Sequence, residues 1–413
     1  MDKAIRLDVE QRLKNGFLRC VVSSSSLEMG IDIGSVDLVI QVGSPGSIAT
    51  ALQRIGRAGH QVGGLPRARF LPISPHDLLE LVALQTGILR GSMDLLKFPE
   101  NCLDVLAQFL IGLSIIKEWD IDDAYELASA SWPYRNLPYD DYIEVLDLLE
   151  DERRIWIDWE DNKFGKRGFA QMIYYTNIGT IAPNNNYLVF TSDGTMVGQL
   201  SSSFVSSLRN GDVFLLGGST YRVSSIRGTR VNVSPATGYR PTIPSWTGEA
   251  NSRTHELSQE VLELLEEVAT YARLEKDPMT IFTDILGLNR PVAHAVSGFF
   301  QEHVATTFQV PGNDLILVEQ VEAPLPTYIV TTCRGRAFNL ALGHLFAGIA
   351  TNDNIIVHEL SFDENGFMIK LSHEVEISLI PEIFKQGNSK DVLQKHMMES
   401  QLFAKRFREI SSR

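Results

Sequence analysis

Gln53, Arg54 and Arg57 fall within a single five-residue window near the start of the chain. A guanidinium presents fixed fork donors to phosphate oxygens and never loses its charge, so two of them beside an amide suit the clamping of a polyphosphate. A helix must carry them. Ser44-Pro45-Gly46-Ser47 is a chain break ending in a capping serine, and a helical pattern starts at Ile48. Ile48, Leu52 and Ile55 recur at helical spacing and are expected to face inward. Gln53 and Arg57 then lie one turn apart on a different face, and Gly56, Gly59 and the Gly63-Gly64 pair close the segment. Upstream runs a second polar stretch, Ser24-Ser25-Ser26-Leu27-Glu28-Met29-Gly30-Ile31-Asp32-Ile33-Gly34.

Other chemistries find little material. The three cysteines, Cys20, Cys102 and Cys333, are far apart with no CxxC pair, and the histidines form no HExxH, so no metal site and no disulfide framework are expected. No GxxxxGK[ST] phosphate loop and no DExH box occur, so a complete nucleotide site is not expected. No apolar run is long enough to span a bilayer and no signal peptide opens the sequence, which makes a cytoplasmic protein with no membrane partner the default expectation.

The chain has 413 residues, 44% of them apolar, and a net charge of −14. That balance alone argues against a nucleic-acid binder, but its distribution is uneven. Positions 118–161 hold fifteen acids against three arginines, whereas 163–253 hold nine bases against three acids. A basic block inside an acidic chain is an electrostatic footprint that an anionic polymer could use.

The pattern predicts a multidomain α/β chain. Residues 1–16 read as an amphipathic helix stopped by Gly16, and 18–23, 36–42 and 67–73 as strands of a partial parallel sheet. A connecting helix over 76–89 is followed by three helical runs (102–116, 121–131 and 140–150) and two wing strands (154–159 and 168–174), a winged-helix plan. The third of these helices is acidic, so ordinary major-groove docking is not expected and a packing role competes with a binding one. Closely spaced short strands between 174 and 233 suggest a small β-barrel. The rest is an α+β tail in which Arg334 and Arg336 flank a helix entry, either touching phosphate or making a salt bridge there. Trp246 sits in a turn between Pro244 and Gly248, a poor place to bury an indole. An aromatic on a basic module suits base stacking, worth roughly 1–3 kcal/mol per base.

The 24–34 stretch resembles motif V of superfamily 2 helicases and Gln53-Arg54-Ile55-Gly56-Arg57-Ala58-Gly59 resembles motif VI. With the QRIGRAGH ending, the narrower similarity is to the Lhr ("large helicase-related") family, and it continues through Asn177-Ile178-Gly179, the 211–218 segment and Pro244-Ser245-Trp246. The resemblance implies the carboxy-terminal portion of an ATP-dependent 3′–5′ helicase with its first RecA-like domain missing. The implied layout is a partial second RecA-like domain at 1–75, a connecting helix at 76–100, a winged helix at 101–172, a β-barrel at 173–250 and an α+β accessory domain at 251–413. It further implies ATP and Mg as cofactors, held mainly by the missing domain. Arg57 would be the arginine finger, with Arg54 and Gln53 beside it, and Gly30 and Asp32 would meet the nucleotide. Ser24, Ser25, Ile178 and Trp246 would contact single-stranded DNA or RNA, or an RNA:DNA hybrid. A helicase amino-terminal half is the implied partner, and the chain alone is expected to be inactive. The competing reading is an ATP-independent nucleic-acid-binding or scaffold remnant of a split gene, favoured by the missing phosphate loop.

Overall fold

Capped amphipathic runs and short apolar alternations set the element order in the computed structural model. It describes residues 3–23, 36–58, 65–179, 187–200, 204–205, 208–216, 218–238, 252–273, 279–307, 309–376 and 388–411. In chain order the first elements are α1 (Lys3–Lys14), β1 (Val39–Val42), α2 (Ile48–Ile55), β2 (Ala68–Leu71) and α3 (Pro75–Arg90). Next come α4 (Leu103–Ile116), β3 (Trp119–Asp120), α5 (Ile121–Ser129), α6 (Tyr139–Asp151), β4 (Ile155–Asp158), β5 (Lys163–Lys166) and α7 (Ala170–Thr176). Strands β6 (Tyr187–Thr191), β7 (Met196–Leu200), β8 (Val213–Leu216), β9 (Ser219–Arg227) and β10 (Arg230–Pro235) follow. The last part holds α8 (His255–Arg273), α9 (Arg290–Thr307), β11 (Leu317–Val321), β12 (Thr327–Thr331), α10 (Arg336–Asn352), β13 (Val357–Phe362), β14 (Gly366–Leu371), α11 (Ser389–Met398) and α12 (Gln401–Ser411).

Contacts divide the chain into two units, residues 1–95 with 249–397 and residues 96–248 with 398–413. In the first, β1 and β2 pair in parallel, Val39 opposite Ala68 and Val42 opposite Leu71. One face of this pair looks inward, where Phe70 meets the buried Ile48, Ala51, Leu81, Leu84 and Leu257. The other face carries Ile40, Val42 and Leu71, all exposed. Helices α3, α8 and α9 share a second core, built on Leu79, Val82, Leu262, Leu265, Val296 and Phe300. A four-stranded sheet in the order β11-β12-β14-β13 packs through Tyr328, Phe367 and Ile369 against Phe346 and Ala347 of α10. The expected strand over 18–23 does not form. Residues 17–23 are irregular, Val22 is 97% exposed, and no ladder reaches the segment among the described residues.

The second unit contains the winged helix. Helices α4, α5 and α6 surround Leu106, Leu110, Ile121, Tyr142 and Leu146, with Phe164 of the wing fully buried beneath them. The wing differs from the expected pair of strands. Its second strand is β5, between the two expected strands, and residues 168–174 instead enter α7. Asp158 explains the earlier turn: its carboxylate accepts from the amides of Glu160 and Asp161, and Asn162 follows at φ +54°. Gly165 then lies under the Trp156 indole, where an added Cβ would come within 2.6 Å of the ring. Helix α7 leans on α4, where Tyr174 lies over Gly112.

The strands read as a barrel form an open five-stranded sheet in the order β7-β6-β10-β9-β8, with β6 and β10 parallel. Its two edge strands approach each other, a Cβ at Gly198 of β7 being 3.0 Å from Leu216 of β8. No ladder joins those edges among the described residues, so the structure gives half a barrel. The segment 174–179 is helix end and loop instead of a strand.

Helix α11 docks on α10 through an unusual pair. His344 and His396 have ring centroids 5.3 Å apart, and the His344 Nδ1 is buried with no hydrogen-bond partner. Burial, with His396 adding to it, holds the His344 imidazole below its ordinary pKa of 6.5. The undocked form therefore takes up a proton first as pH falls, so stability is intact above that ordinary value and is lost below it. The thermal midpoint should accordingly drop as pH falls below 6.5, and less steeply in His344→Leu. Parallel pH profiles of the two proteins would refute the assignment.

Candidate nucleotide-contacting site

Helix α2 is short, and its position is fixed from both ends. Ser47 caps it, the side chain accepting from the Thr50 amide at 3.1 Å. Asp94 adds a carboxylate at the same terminus, accepting from Ser47 Oγ at 2.8 Å and from the Ala49 amide at 2.6 Å. Negative charge there complements both the free amides and the helix dipole. The other Asp94 oxygen accepts from Thr254 Oγ1 at 2.5 Å, and the Thr254 amide donates to Gly46 O at 2.8 Å. At the far end Gly56 closes the helix through Leu52 O, and the buried Ala58 forms a parallel bridge with Val36. The inward face is the expected one: Ile48 is fully buried and Leu52 packs on the same core.

Three polar side chains cluster towards the carboxy-terminal end of α2. Gln53 is exposed, while Arg54 and Arg57 are half-buried. Arg54 Nη1 donates to Gln41 Oε1 of β1 at 2.7 Å. Gln41 is itself held, since its Nε2 donates to Val42 O at 2.9 Å and to Gly43 O at 3.2 Å. Arg57 Nε lies 3.4 Å from Gln53 O. The cluster can therefore offer guanidinium and amide donors to an anion from a helix that is locked to its sheet. No group of three or more His, Cys, Asp or Glu side chains could hold a metal ion among the described residues.

Glu80 and Arg253 lie beneath this helix, and the sequence reading missed their role. Ser44, just before α2, donates its hydroxyl to Glu80, and its amide donates to Asp77 at 2.6 Å. Glu80 Oε2 meets Arg253 Nη1 at 3.1 Å, with the Arg253 side chain 2% exposed. The guanidinium also reaches Ser258 Oγ at 3.1 Å, Asn365 Oδ1 at 3.2 Å, Cys333 O at 2.9 Å and Glu364 O at 2.8 Å. Arg253 had been counted within the basic block as possible phosphate-facing charge. Its burial removes it from that surface. Arg334 and Arg336 bond the backbone carbonyls of Asn313 and Phe362 respectively, Arg336 from an exposed position.

The remaining predicted residues are scattered. Ile178 follows α7 in the second unit and is 63% exposed, so it is no core isoleucine. Ser24, Ser25, Gly30, Asp32 and Trp246 lie outside the described residues.

These features define a helicase-type module. Residues 1–61 match the helicase conserved C-terminal domain, residues 86–243 the winged helix domain of large helicase-related proteins, and residues 310–413 the DEAD/H associated family. The chain is 36% identical over its whole length to ATP-dependent helicase Lhr-Core protein 2 of Thermococcus barophilus, covering 49% of that protein. Against ATP-dependent helicase Lhr-Core of Methanothermobacter thermautotrophicus the identity is again 36%, over 100% of this chain and 49% of the relative. The structure of Mycobacterium smegmatis helicase Lhr bound to ssDNA and AMP-PNP superposes on the whole chain with a TM-score of 0.73 at 25% identity, covering 50% of that protein. The chain belongs to the Lhr-type helicases and corresponds to their carboxy-terminal half. It spans about half the length of the relatives it matches.

Removing one partner of the buried pair should be costly, because the other charge is stranded. Arg253→Ala should lower unfolding free energy by about 3–5 kcal/mol in denaturant titration. Replacing Arg253 and Glu80 together with apolar side chains of matched volume should cost less. If the double variant is the weaker protein, the pair is not the source of the loss.

Proposed function

We propose that this chain acts as the carboxy-terminal half of an ATP-dependent 3′–5′ helicase, completing a nucleotide site whose phosphate loop belongs to a first RecA-like domain. The observation that carries this reading is that the pinned α2 and the turn that ends it bring Gln53, Arg54 and Arg57 together, within a segment that matches the helicase C-terminal domain. In this reading Arg57 is the arginine finger, neutralising charge that develops on the transferred phosphoryl group. Arg54 and Gln53 brace the γ-phosphate, and Arg54 is already oriented by Gln41. Gly30 and Asp32 meet the nucleotide from the adjoining segment. When bound, ATP with Mg supplies the phosphoanhydride and the metal charge, both held mainly by the other half. The donors on α2 fit such a ligand, because every one is positive or neutral and none is a carboxylate.

The tracking strand is single-stranded DNA or RNA, including one strand of an RNA:DNA hybrid. Ser24 and Ser25 contact its backbone, Ile178 meets a base from the winged helix, and Trp246 stacks on a base from a barrel completed around the five-stranded sheet. Support comes from the exposure of Ile178 and from the Mycobacterium smegmatis relative, whose structure holds ssDNA and AMP-PNP.

Alone, the chain should hydrolyse no ATP whatever nucleic acid is added. Mixed with a separately purified amino-terminal helicase half, it should restore nucleic-acid-stimulated turnover, and Arg57→Ala should cut kcat by about a thousandfold or more. Full turnover in the Arg57→Ala mixture would sink the finger assignment. Trp246→Ala should weaken single-strand binding by roughly tenfold, within the range of one lost stacking contact. An unaltered salt-dependent binding isotherm would remove Trp246 from the site.

A further inference from the structure

Helix α2, which carries Arg54 and ends two residues before Arg57, is linked to the α+β tail, some three hundred residues later in the chain, through a chain of side-chain hydrogen bonds (Ser44 to Glu364). The route begins in the turn between β13 and β14. Glu364 accepts from the Arg253 amide at 3.1 Å and from the Arg336 amide at 2.9 Å, so one carboxylate joins the Arg253 segment to the start of α10. The Arg253 guanidinium then contacts Cys333 O, Glu364 O, Asn365, Ser258 and Glu80. Glu80 is shared in turn, with one oxygen on Arg253 and the other on the Ser44 hydroxyl. Ser44 Oγ also accepts from the Gly46 amide at 3.1 Å, one residue before the cap of α2.

A second, parallel route leaves from the next residue. Thr254 holds Gly46 O and, through Asp94, both Ser47 and Ala49. The loop that closes over Arg253 needs a glycine. Gly335 sits at φ +89°, and a Cβ there would lie 2.8 Å from Ser258 Oγ and 3.1 Å from Arg253 O. Helix α3 transmits the same constraint by packing, since Gly87 admits Ile48 of α2 so closely that a Cβ would meet its Cδ1 at 3.2 Å.

We propose that the carboxy-terminal α+β module sets the position of α2 through Arg253 and Glu80, which makes Arg253 a positioning residue for nucleotide turnover. This rests on the functional reading above. Neither side chain touches nucleotide; they act by fixing where Ser44, Gly46 and Ser47 start the helix. A disturbance of the 363–366 turn or the 332–335 loop is thereby felt at Arg57, giving the tail a part in the motor's chemistry.

The test uses the full chain with Arg253→Lys, which keeps the charge and loses the fork, and separately Glu80→Gln. By hydrogen exchange, amides of 46–55 should exchange about tenfold faster in both variants, while β12 and β14 keep their protection. Unchanged exchange in α2, or equal loss across α2, β12 and β14, would overturn the proposal. With the amino-terminal half supplied, Arg253→Lys should lower kcat at unchanged KM for ATP. A loosened α2 with normal kcat, or a rise in KM alone, would likewise overturn it. If the unmodified mixture shows no turnover, the functional reading fails by itself, and the exchange result decides the mechanical link.

Discussion

A single buried guanidinium decides how the first unit holds together. Arg253 is taken out of water and repaid by contacts in several directions, to a carboxylate, a hydroxyl, an amide oxygen and two backbone carbonyls. Desolvating such a group is expensive, and an apolar residue of similar size would often serve stability as well or better. A planar fork with fixed donor directions does something an apolar residue cannot: it fixes the relative position of every element it touches. Here those elements are α3, the start of α8, the loop before α10 and the β13–β14 turn. Burial pushes the neighbouring Cys333 thiol up to about 11, even though the nearby Arg253 favours the thiolate, so this sulfur is inert packing at neutral pH.

That rigidity matters because α2 has only eight residues and could not hold a geometry unaided. Its amino terminus is satisfied by Ser47 and Asp94, its middle by the core around Ile48, and its last turn by Gln41 acting on Arg54. On the proposed arginine-finger reading, a donor for charge that appears only in a transition state is useful in proportion to how little it must move. The other half of the arrangement shows on the β1–β2 pair. Ile40, Val42 and Leu71 face outward on a two-stranded parallel sheet, whereas parallel strands are ordinarily covered on both faces.

The sequence revealed the parts of this arrangement that depend on local rules. The serine cap before Ile48, the inward Ile48 and Leu52, and the stop at Gly16 all follow from spacing and backbone freedom, and each is found. The three helices of the winged helix were legible for the same reason. The wing was not, because residues 168–174, a short apolar run, suggest a strand when they are read without their tertiary partner. Their inner side chains, Ala170, Ile173 and Tyr174, find α4 to pack against, and that tertiary contact selects the helix. Arg253 was misassigned for a related reason. Charge counted along a chain is blind to burial, and its partners Glu80 and Glu364 are each more than a hundred residues away. Gln41, a lone amide in an apolar strand, was the one visible hint that something polar would lean on β1.

Charge and shape together also limit what the winged helix can do. Helix α6 buries Tyr142, Val145, Leu146 and Leu149, leaving its acids outward, so its exposed face would repel a phosphate backbone. The positive side chains of this unit stand elsewhere, with Lys163, Lys166 and Arg167 on the wing and Arg230 stacked 3.9 Å over Phe190 on the five-stranded sheet. Exposed apolar groups follow the wing directly: Phe169, Met172, Tyr175 and Ile178 line the outer side and end of α7. The helix that enters the groove of a duplex usually carries basic residues, and α6, the third helix of this winged helix, is acidic. Cations beside exposed rings instead favour unstacked bases, which present both a backbone to neutralise and flat faces to cover. On the function proposed above, an acidic α6 and cations placed on the wing make a single strand the better fit for this winged helix.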